Sequence, residues 1–231
     1  MARVAGADGA PGGWAAVIIE ADRPRIRKVR ALSDIVVGLD VVAVDVPIGL
    51  CDEYQTGGRA CDRRARMLLQ NRRGSVFPAP VRSVLAASSW EDACALSRAS
   101  APGGKAISKQ TYFILHKIKE VDEFLRARLE LHEVVREVHP EVCFCELAGR
   151  QMAHSKKRQP GRKERVQALS LPFSDIDVIV NDGRKEGLPL EDILDATVAC
   201  WSALRLAEGK GRSLIEPVPH DTTGLPMTIW V

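Results

Sequence analysis

The first twenty residues contain two short apolar runs separated by a turn rich in glycine and proline. The apolar runs cover residues 4–7 and 14–19, and residues 9–13 are Gly-Ala-Pro-Gly-Gly. This pattern predicts a β-hairpin. Asp8 closes the first strand, where the small residues after it let another backbone or a phosphate approach closely. An Asp here is also common as a side-chain cap of the turn, so both interpretations stand.

Two further strands are predicted before residue 50. Residues 25–30 alternate weakly and favour a third strand, after which Ser33 can begin a short helix over 34–39. Residues 41–44 are Val-Val-Ala-Val, a continuous run typical of a parallel strand with helices on both faces. Asp45 ends this strand. Two neighbouring strands that end in carboxylates bring two anions together, which is costly unless a cation or a proton lies between them.

A segment of helical composition, residues 190–207, follows near the C-terminal end, with Pro189 before it and Gly209 after it. Proline at the start and glycine past the end are typical of helix boundaries. Asp192 and Asp195 are three residues apart and therefore share one face of this helix. Acidic residues also stabilise a helix N-terminus by about 0.3–1 kcal/mol. Asp192 fits this alternative well, whereas Asp195 lies a turn further in and fits it less.

The segment 134–144 carries further residues that can move protons, on either side of Pro140. We predict strand structure before and after the proline, which would display His139 and Glu141 at an irregular strand end. His139 can transfer protons near neutral pH, with Glu141 orienting it. A histidine beside a proline can also simply hydrogen-bond the backbone at the kink, and the sequence leaves both roles open.

These motifs together resemble the ribonuclease H superfamily, in particular its RuvC-type resolvase branch. The order strand-strand-strand-helix-strand, the acids on the first and fourth strands and the late Asp-x-x-Asp-Ala helix carry the resemblance. More closely, the chain resembles the family catalogued as domain of unknown function 429, described as predicted nucleases of ribonuclease H fold. The matching stretches are 8–14, 44–50, 137–142, 155–157, 192–196 and 224–227.

The resemblance implies an α/β fold with a mixed five-stranded sheet flanked by helices. It also implies that one or two Mg²⁺ or Mn²⁺ ions are held by carboxylates and that the chain hydrolyses phosphodiester bonds of DNA or RNA. Asp45 departs from the RuvC branch, which usually carries Glu there; the shorter side chain changes the reach to the metal without removing a ligand. The implied metal ligands are Asp8, Asp45, Asp192 and Asp195, and the catalytic candidates are Asp8, Asp45, Asp195, His139 and Glu141.

Basic residues form two groups that suit a polyanionic partner. Within the second group, Lys156 and Lys157 are the preferred phosphate contacts, because they fall in a stretch that matches the family. We expect most of the first group to be a solvated face. The first group is Arg59, Arg63, Arg64, Arg66, Arg72 and Arg73, and the second is Arg150, Lys156, Lys157, Arg158, Arg162, Lys163 and Arg165.

Residues 51–131 have a helical pattern that is longer than one crossover between strands requires. We therefore predict a single domain over 1–231 with a helical insertion at 51–131, placed over the strand ends where a lid or substrate-selecting surface belongs. A last strand is expected over 226–230, at an edge of the sheet. The helices predicted within the insertion cover 57–70, begin at Ser89 and begin at Ser108.

Composition narrows the class without deciding the function. With 231 residues, 45% of them hydrophobic and 27% charged, the chain can bury a sizeable core. A net charge of +3 does not by itself require nucleic acid, and only the clustering of cations suggests it. No apolar leader or membrane-length run is present, so we expect a soluble, cytoplasmic protein. The six cysteines lack CxxC spacing, which argues for reduced thiols rather than a zinc site.

Three function classes fit these observations. A metal-dependent nuclease is the leading one. An ATP-dependent phosphotransferase shares the fold and an Asp-Gly turn at the first hairpin, but the chain is short for a two-domain cleft and lacks a clear second phosphate loop. A non-catalytic nucleic-acid-binding or scaffold protein is the third. Metal separates them, because the two enzymes need it whereas scaffold binding should survive chelation.

Overall fold

The computed structural model describes residues 2–21 and 23–231, which form five strands and eight α-helices. The strands are β1 (Val4–Ala10), β2 (Gly13–Glu20), β3 (Arg23–Val29), β4 (Val41–Val44) and β5 (Val135–Glu137). The helices are α1 (Ala60–Leu69), α2 (Trp90–Ala99), α3 (Lys109–Phe113), α4 (Leu115–Arg126), α5 (Pro140–Ala148), α6 (Gln159–Leu169), α7 (Ile176–Lys185) and α8 (Leu190–Ala207).

The chain divides into two compact units. Unit 1 holds the described residues up to Val46, then Glu133–Arg212 and Trp230–Val231; unit 2 holds Pro47–His132 and Ser213–Ile229. All five strands and the helices α5 to α8 belong to unit 1, and α1 to α4 belong to unit 2. No helix formed by the described residues is long and apolar enough to cross a bilayer.

The sheet of unit 1 has the order β3-β2-β1-β4-β5. Its first three strands are antiparallel to one another, while β4 runs parallel to both β1 and β5. The α/β fold with a mixed five-stranded sheet flanked by helices is therefore confirmed. The parallel pair β1 and β4 places Gly6 beside Ala43 and Ala7 beside Val44, and the next two residues along these strands are Asp8 and Asp45.

Helix α8 lies across β1, β2 and β4 and is buried along most of its length. Its close approach depends on Gly6, because a Cβ built there would lie 1.9 Å from the backbone nitrogen of Cys200 and 2.4 Å from the carbonyl oxygen of Ala196. Small residues on the facing side of the helix, such as Ala199, complete this contact. The approach is what brings the N-terminal half of α8 over the ends of β1 and β4.

Unit 2 is mainly helical, and its C-terminal segment Ser213–Ile229 is tied to the helices by buried charges. Arg82 donates to Asp122 Oδ1 at 2.5 Å and also forms an ion pair with Asp221. The Asp221 carboxylate in turn accepts the Leu50 N–H at 2.9 Å. The two chain segments of unit 2, Pro47–His132 and Ser213–Ile229, are thus joined by these contacts.

Several predicted elements differ from those observed. The helix predicted over 34–39 is only a 3-10 turn at Leu32–Asp34, because the Asp34 carboxylate closes back onto the Ala31 N–H at 3.1 Å and Gly38 takes a left-handed φ of 71°. Helix α1 begins at Ala60 instead of residue 57, since Gly57 and Gly58 both have positive φ.

The strand predicted after Pro140 was also wrong, since α5 begins at this proline. Proline suits the first helical position, where no N–H is needed, and α5 ends at Gly149 in a left-handed conformation. The helix predicted from Ser108 is broken at Ile114 into α3 and α4.

The last predicted strand, over 226–230, is reduced to isolated bridges, of Trp230 with Val138 and of Pro226 with His220. The Trp230 N–H donates to the Glu137 carbonyl at 2.8 Å, which places Trp230 at the β5 edge of the sheet. Pro226 cannot contribute a ladder donor, and the residues up to Ile229 belong to unit 2.

Candidate metal centre

Three carboxylates from separate elements meet at one point of unit 1. Asp8 lies near the end of β1, Asp45 directly follows β4, and Asp195 lies in the second turn of α8. One carboxylate oxygen of each lies within 4.8 Å of the others. The structure therefore brings together three of the four acids predicted as metal ligands.

The strand register explains why Asp8 and Asp45 converge. The Asp45 N–H donates to the Ala7 carbonyl oxygen at 3.0 Å, which continues the parallel pairing of β1 and β4 by one residue. Side chains two residues apart in a strand share a face, so Asp8 points to the same side as Gly6. That side is the one covered by α8 at Gly6, and α8 supplies the third carboxylate from Asp195.

Burial and mutual repulsion make the ionised cluster costly. Asp195 is only 1% exposed, and burial raises its pKa above the ordinary value despite the neighbouring Lys156. Burial, followed by repulsion from Asp45 and Asp195, raises the pKa of Asp8 well above its usual range. The pKa of Asp45 rises from 3.8 to about 7, again by burial first and then by repulsion from Asp195. Burial and the like charge of neighbouring carboxylates both disfavour the ionised form of these groups.

Asp192 stands beside this group but is not one of the three converging carboxylates. It is partly exposed, one turn before Asp195 on α8. Burial and then the charge of Asp195 raise the pKa of Asp192 to about 6. It therefore changes protonation state close to neutral pH.

Lys156, which the sequence predicted to contact phosphate, makes direct contact with the carboxylate cluster. Its Nζ donates to Asp195 Oδ2, while 35% of the side chain remains exposed. Burial lowers the pKa of Lys156, but the charges of Asp195 and Asp8 outweigh this and raise the pKa above its ordinary value. Lys157 is exposed. One lysine thus supplies part of the positive charge that the cluster needs.

Glu141 is buried behind the cluster in an ion pair. Arg165, which is fully buried, donates to Glu141 Oε1 at 2.5 Å and to the carbonyl oxygens of Gly161 and His154 at 2.9 and 3.1 Å. The negative charge of Glu141 contributes to the raised pKa of Asp45. Glu141 therefore lies within electrostatic range of the cluster, and α5 holds it inside the protein instead of displaying it at a strand end.

His139 is the residue that precedes α5. Its carbonyl oxygen accepts the N–H groups of Val142 and Cys143, both at 2.9 Å, which starts the helix. The N–H of Val138 donates to the Val44 carbonyl at 2.9 Å. His139 therefore follows the C-terminal end of β5, on the same side of the sheet as the C-terminal end of β4, where Asp45 lies. His139 is partly buried there.

Two features that position the site were missed in the sequence. Gly6 sits in a run of small residues, and that run was the available signal for a close helix contact. Arg165 was counted among the surface cations, and nothing in its local sequence distinguishes it from its neighbours. Its partner Glu141 is 24 positions away, so the pair becomes visible only in three dimensions.

The donor set fits a hard divalent cation. Three carboxylates offer oxygen atoms, which Mg²⁺ and Mn²⁺ prefer, and the group includes neither histidine nor cysteine. Burial first, and then repulsion between the carboxylates, raises the pKa of Asp8 and of Asp45, and a bound cation would favour their ionised forms. The residues present therefore fit such an ion.

A comparison with family models matches residues 6–220 to the family described as "Protein of unknown function (DUF429)". The chain belongs to this family. The matched range includes Asp8, Asp45, Lys156 and Asp195, so the whole carboxylate cluster lies within it. A search of curated proteins and a search of solved structures each found no match.

Proposed function

We propose that this member of the DUF429 family is a metal-dependent nuclease that hydrolyses phosphodiester bonds in nucleic acid. The observation that carries the proposal is the convergence of Asp8, Asp45 and Asp195 within 4.8 Å of one another. Three separate elements contribute one carboxylate each. A buried anionic cluster of this kind destabilises a protein unless a cation or a proton compensates it, so its presence points to a functional site. The mixed sheet with helices on its faces agrees with the ribonuclease H resemblance of the sequence.

In this proposal Asp8, Asp45 and Asp195 hold Mg²⁺ or Mn²⁺, with Asp192 assisting. A bound ion would supply Lewis-acid stabilisation of the charge that develops on a phosphodiester during hydrolysis. The protein's part is to keep the three carboxylates fixed on β1, β4 and α8, so that little reorganisation is needed when the substrate arrives.

Residues around the cluster provide proton transfer and positive charge. The Asp192 carboxylate, whose pKa is about 6, can accept a proton from an attacking water near neutral pH. His139, which lies at the same C-terminal strand ends as Asp45, is the candidate for returning a proton to the leaving oxygen. Lys156 and Lys157 are the proposed contacts to phosphate oxygens beside the scissile bond.

Glu141 takes a positioning role instead of direct contact with substrate. Its buried pair with Arg165 links α5 to α6, and the same guanidinium holds the carbonyl oxygen of His154, two residues before Lys156. We therefore assign Glu141 to holding the Lys156 segment against the cluster.

The experiment that tests the function is a cleavage assay with labelled single-stranded and duplex DNA and RNA, with Mg²⁺ or Mn²⁺ and with EDTA. We expect metal-dependent cleavage by the native protein and a loss of at least about 100-fold in Asp8→Asn, a size typical for loss of an electrostatic catalytic group. Asp177→Asn is the matched control, because Asp177 is exposed on α7.

The outcome that contradicts the nuclease is absence of cleavage of every substrate by a folded protein that binds metal. ATP hydrolysis or phosphate transfer under the same conditions would then support a phosphotransferase. Nucleic-acid binding that survives EDTA, with no turnover, would support a scaffold protein.

A further inference from the structure

Unit 2 contains an open basin of about 1000 Å³ whose lining is strongly basic. Arg63, Arg66 and Arg73 line it together with the amides of Gln70 and Asn71. No Asp or Glu is among the described residues that line the basin. These arginines belong to the basic group that the sequence analysis assigned mostly to a solvated face.

The basin is formed by one face of α1 and the 3-10 turn that follows it. Arg63, Arg66 and Gln70 are spaced by three and four residues, which places them on one side of a helix. The turn at Gln70–Ser75 continues this side and adds Arg73. The three cations are therefore collected by the backbone into one concave surface, instead of being scattered around the helix.

Backbone carbonyl groups hold two of the guanidinium groups in place. Arg63 donates to the Gly58 carbonyl, and Arg66 donates to the carbonyl of Gly57 and, at 3.1 Å, to that of Val76. A neutral carbonyl fixes a guanidinium without cancelling its charge. Both arginines therefore keep a net positive charge in an ordered position.

The ion pairs of the two basic groups differ in a way that the sequence did not indicate. In the second group, Arg150, Arg162 and Arg165 pair with Glu164, Glu191 and Glu141 at 2.7, 2.5 and 2.5 Å, and Lys156 pairs with Asp195. Among the ion pairs formed within residues 2–21 and 23–231, none involves Arg63, Arg66 or Arg73. Arg63, Arg66 and Arg73 therefore carry positive charge that no ion pair among the described residues compensates.

We propose that this arginine basin binds the phosphodiester backbone of nucleic acid; the inference rests on the proposed function and names the surface that holds its substrate. Fixed guanidinium groups donate paired hydrogen bonds to phosphate oxygens, and Gln70 and Asn71 can donate to phosphate or sugar oxygens. No aromatic side chain is among the described lining residues, so bases have no stacking platform there. Binding is therefore expected to depend on salt and hardly on base sequence.

The test measures binding by fluorescence anisotropy with labelled 30-nucleotide DNA and RNA, single-stranded and duplex, in EDTA at several salt concentrations. Arg73→Glu is the main variant, because Arg73 is exposed and makes no side-chain hydrogen bond or ion pair among the described contacts. Arg64→Glu is the matched control, because Arg64 is exposed on α1, undergoes the same change of charge and does not line the basin.

We expect Arg73→Glu to weaken binding by roughly tenfold at low salt and to reduce the slope of log K against log salt by about 1, as expected for loss of one phosphate contact. The control Arg64→Glu should stay within about twofold of the native protein. The double variant Arg63→Lys with Arg66→Lys keeps the positive charge but loses the planar guanidinium groups that donate paired hydrogen bonds. We expect an intermediate loss of binding affinity.

Equal losses in Arg73→Glu and Arg64→Glu, or no loss in either, would overturn the basin as a binding surface. So would a native protein that binds vesicles of anionic lipid but none of the nucleic acids. The result is separable from the nuclease proposal, because binding is measured in EDTA. If the native protein cleaves nucleic acid but Arg73→Glu binds it normally, only the proposed role of the basin is contradicted. If binding depends on Arg73 but no cleavage occurs, only the nuclease proposal is contradicted.

Discussion

At the scale of single residues, the site is defined by negative charge that the protein compensates only in part. Asp195 has Lys156 as a direct partner, whereas Asp8 and Asp45 carry pKa values raised by burial and repulsion. A carboxyl with a raised pKa is kept partly protonated when no cation is bound. The buried carboxylates therefore lower the stability of the metal-free protein.

A pH dependence of stability follows from Asp45, whose pKa rises from 3.8 to about 7 on folding. The folded protein then retains a proton that the unfolded chain has already released, so the stabilisation is complete below pH 3.8 and is lost as the pH rises through 7. We expect the melting temperature in EDTA to fall between pH 5 and about 8, as titration of this group requires.

The measurement is thermal denaturation of the native protein and of Asp45→Asn across this pH range in EDTA. The variant should melt higher near pH 8 and show a flatter pH profile, because its amide carries no charge. Mn²⁺ should raise the melting temperature of the native protein more at pH 8 than at pH 6. An unchanged pH profile in Asp45→Asn would contradict the assigned protonation.

Lys156 acts as a tethered cation on Asp195 and should compete with a divalent ion for the same carboxylate. We expect Lys156→Gln to bind Mn²⁺ more tightly, by roughly tenfold for a loss of about 1.4 kcal/mol of competing interaction. Cleavage should fall in the same variant, since the contact to phosphate is lost. Calorimetric titration with Mn²⁺ gives the affinity, and Lys163→Gln on exposed α6 surface is the control. Weaker Mn²⁺ binding in Lys156→Gln would show that the lysine supports the metal site instead of competing for it.

At the scale of elements, the packing of α8 on β1 decides whether the carboxylates meet. The hairpin, β4 and α8 could be predicted because each has a local pattern, an apolar run or a helical composition with clear ends. Their acids could be picked out because each follows such a run or repeats on one helix face. The same local logic failed at Pro140, because a proline can interrupt a strand or begin a helix, and here it begins α5.

Gly6 makes this packing possible, and its replacement is expected to damage both fold and site. A Cβ at Gly6 would lie 1.9 Å from the Cys200 nitrogen, so α8 must move away from β1 in Gly6→Ala. We expect a loss of about 1–3 kcal/mol in the free energy of unfolding, typical of overpacking, together with weaker Mn²⁺ binding as Asp195 shifts.

Denaturant unfolding and Mn²⁺ titration check this expectation. Gly74→Ala is the matched control, because a Cβ there meets no atom within 4 Å. Equal stability of Gly6→Ala and Gly74→Ala would contradict the close approach of α8 to β1.

At the scale of the whole molecule, the two units contain different proposed sites. The three converging carboxylates and Lys156 belong to unit 1, and the arginine basin belongs to unit 2. The sequence indicated the helical stretch 51–131 but not that Ser213–Ile229 joins it, since the ion pair of Arg82 with Asp221 spans 139 positions. The ion pairs of the second basic group were hidden in the same way, because charge density along the chain does not show which cations have an acidic partner.

The most direct test of the central claim is anomalous X-ray diffraction from crystals of the native protein grown with Mn²⁺. We expect an anomalous peak for manganese bonded to carboxylate oxygens of Asp8, Asp45 and Asp195, and its loss in Asp8→Asn crystals grown under the same conditions. Manganese bound elsewhere, or no ordered manganese at saturating concentration with the three carboxylates turned away from one another, would contradict it.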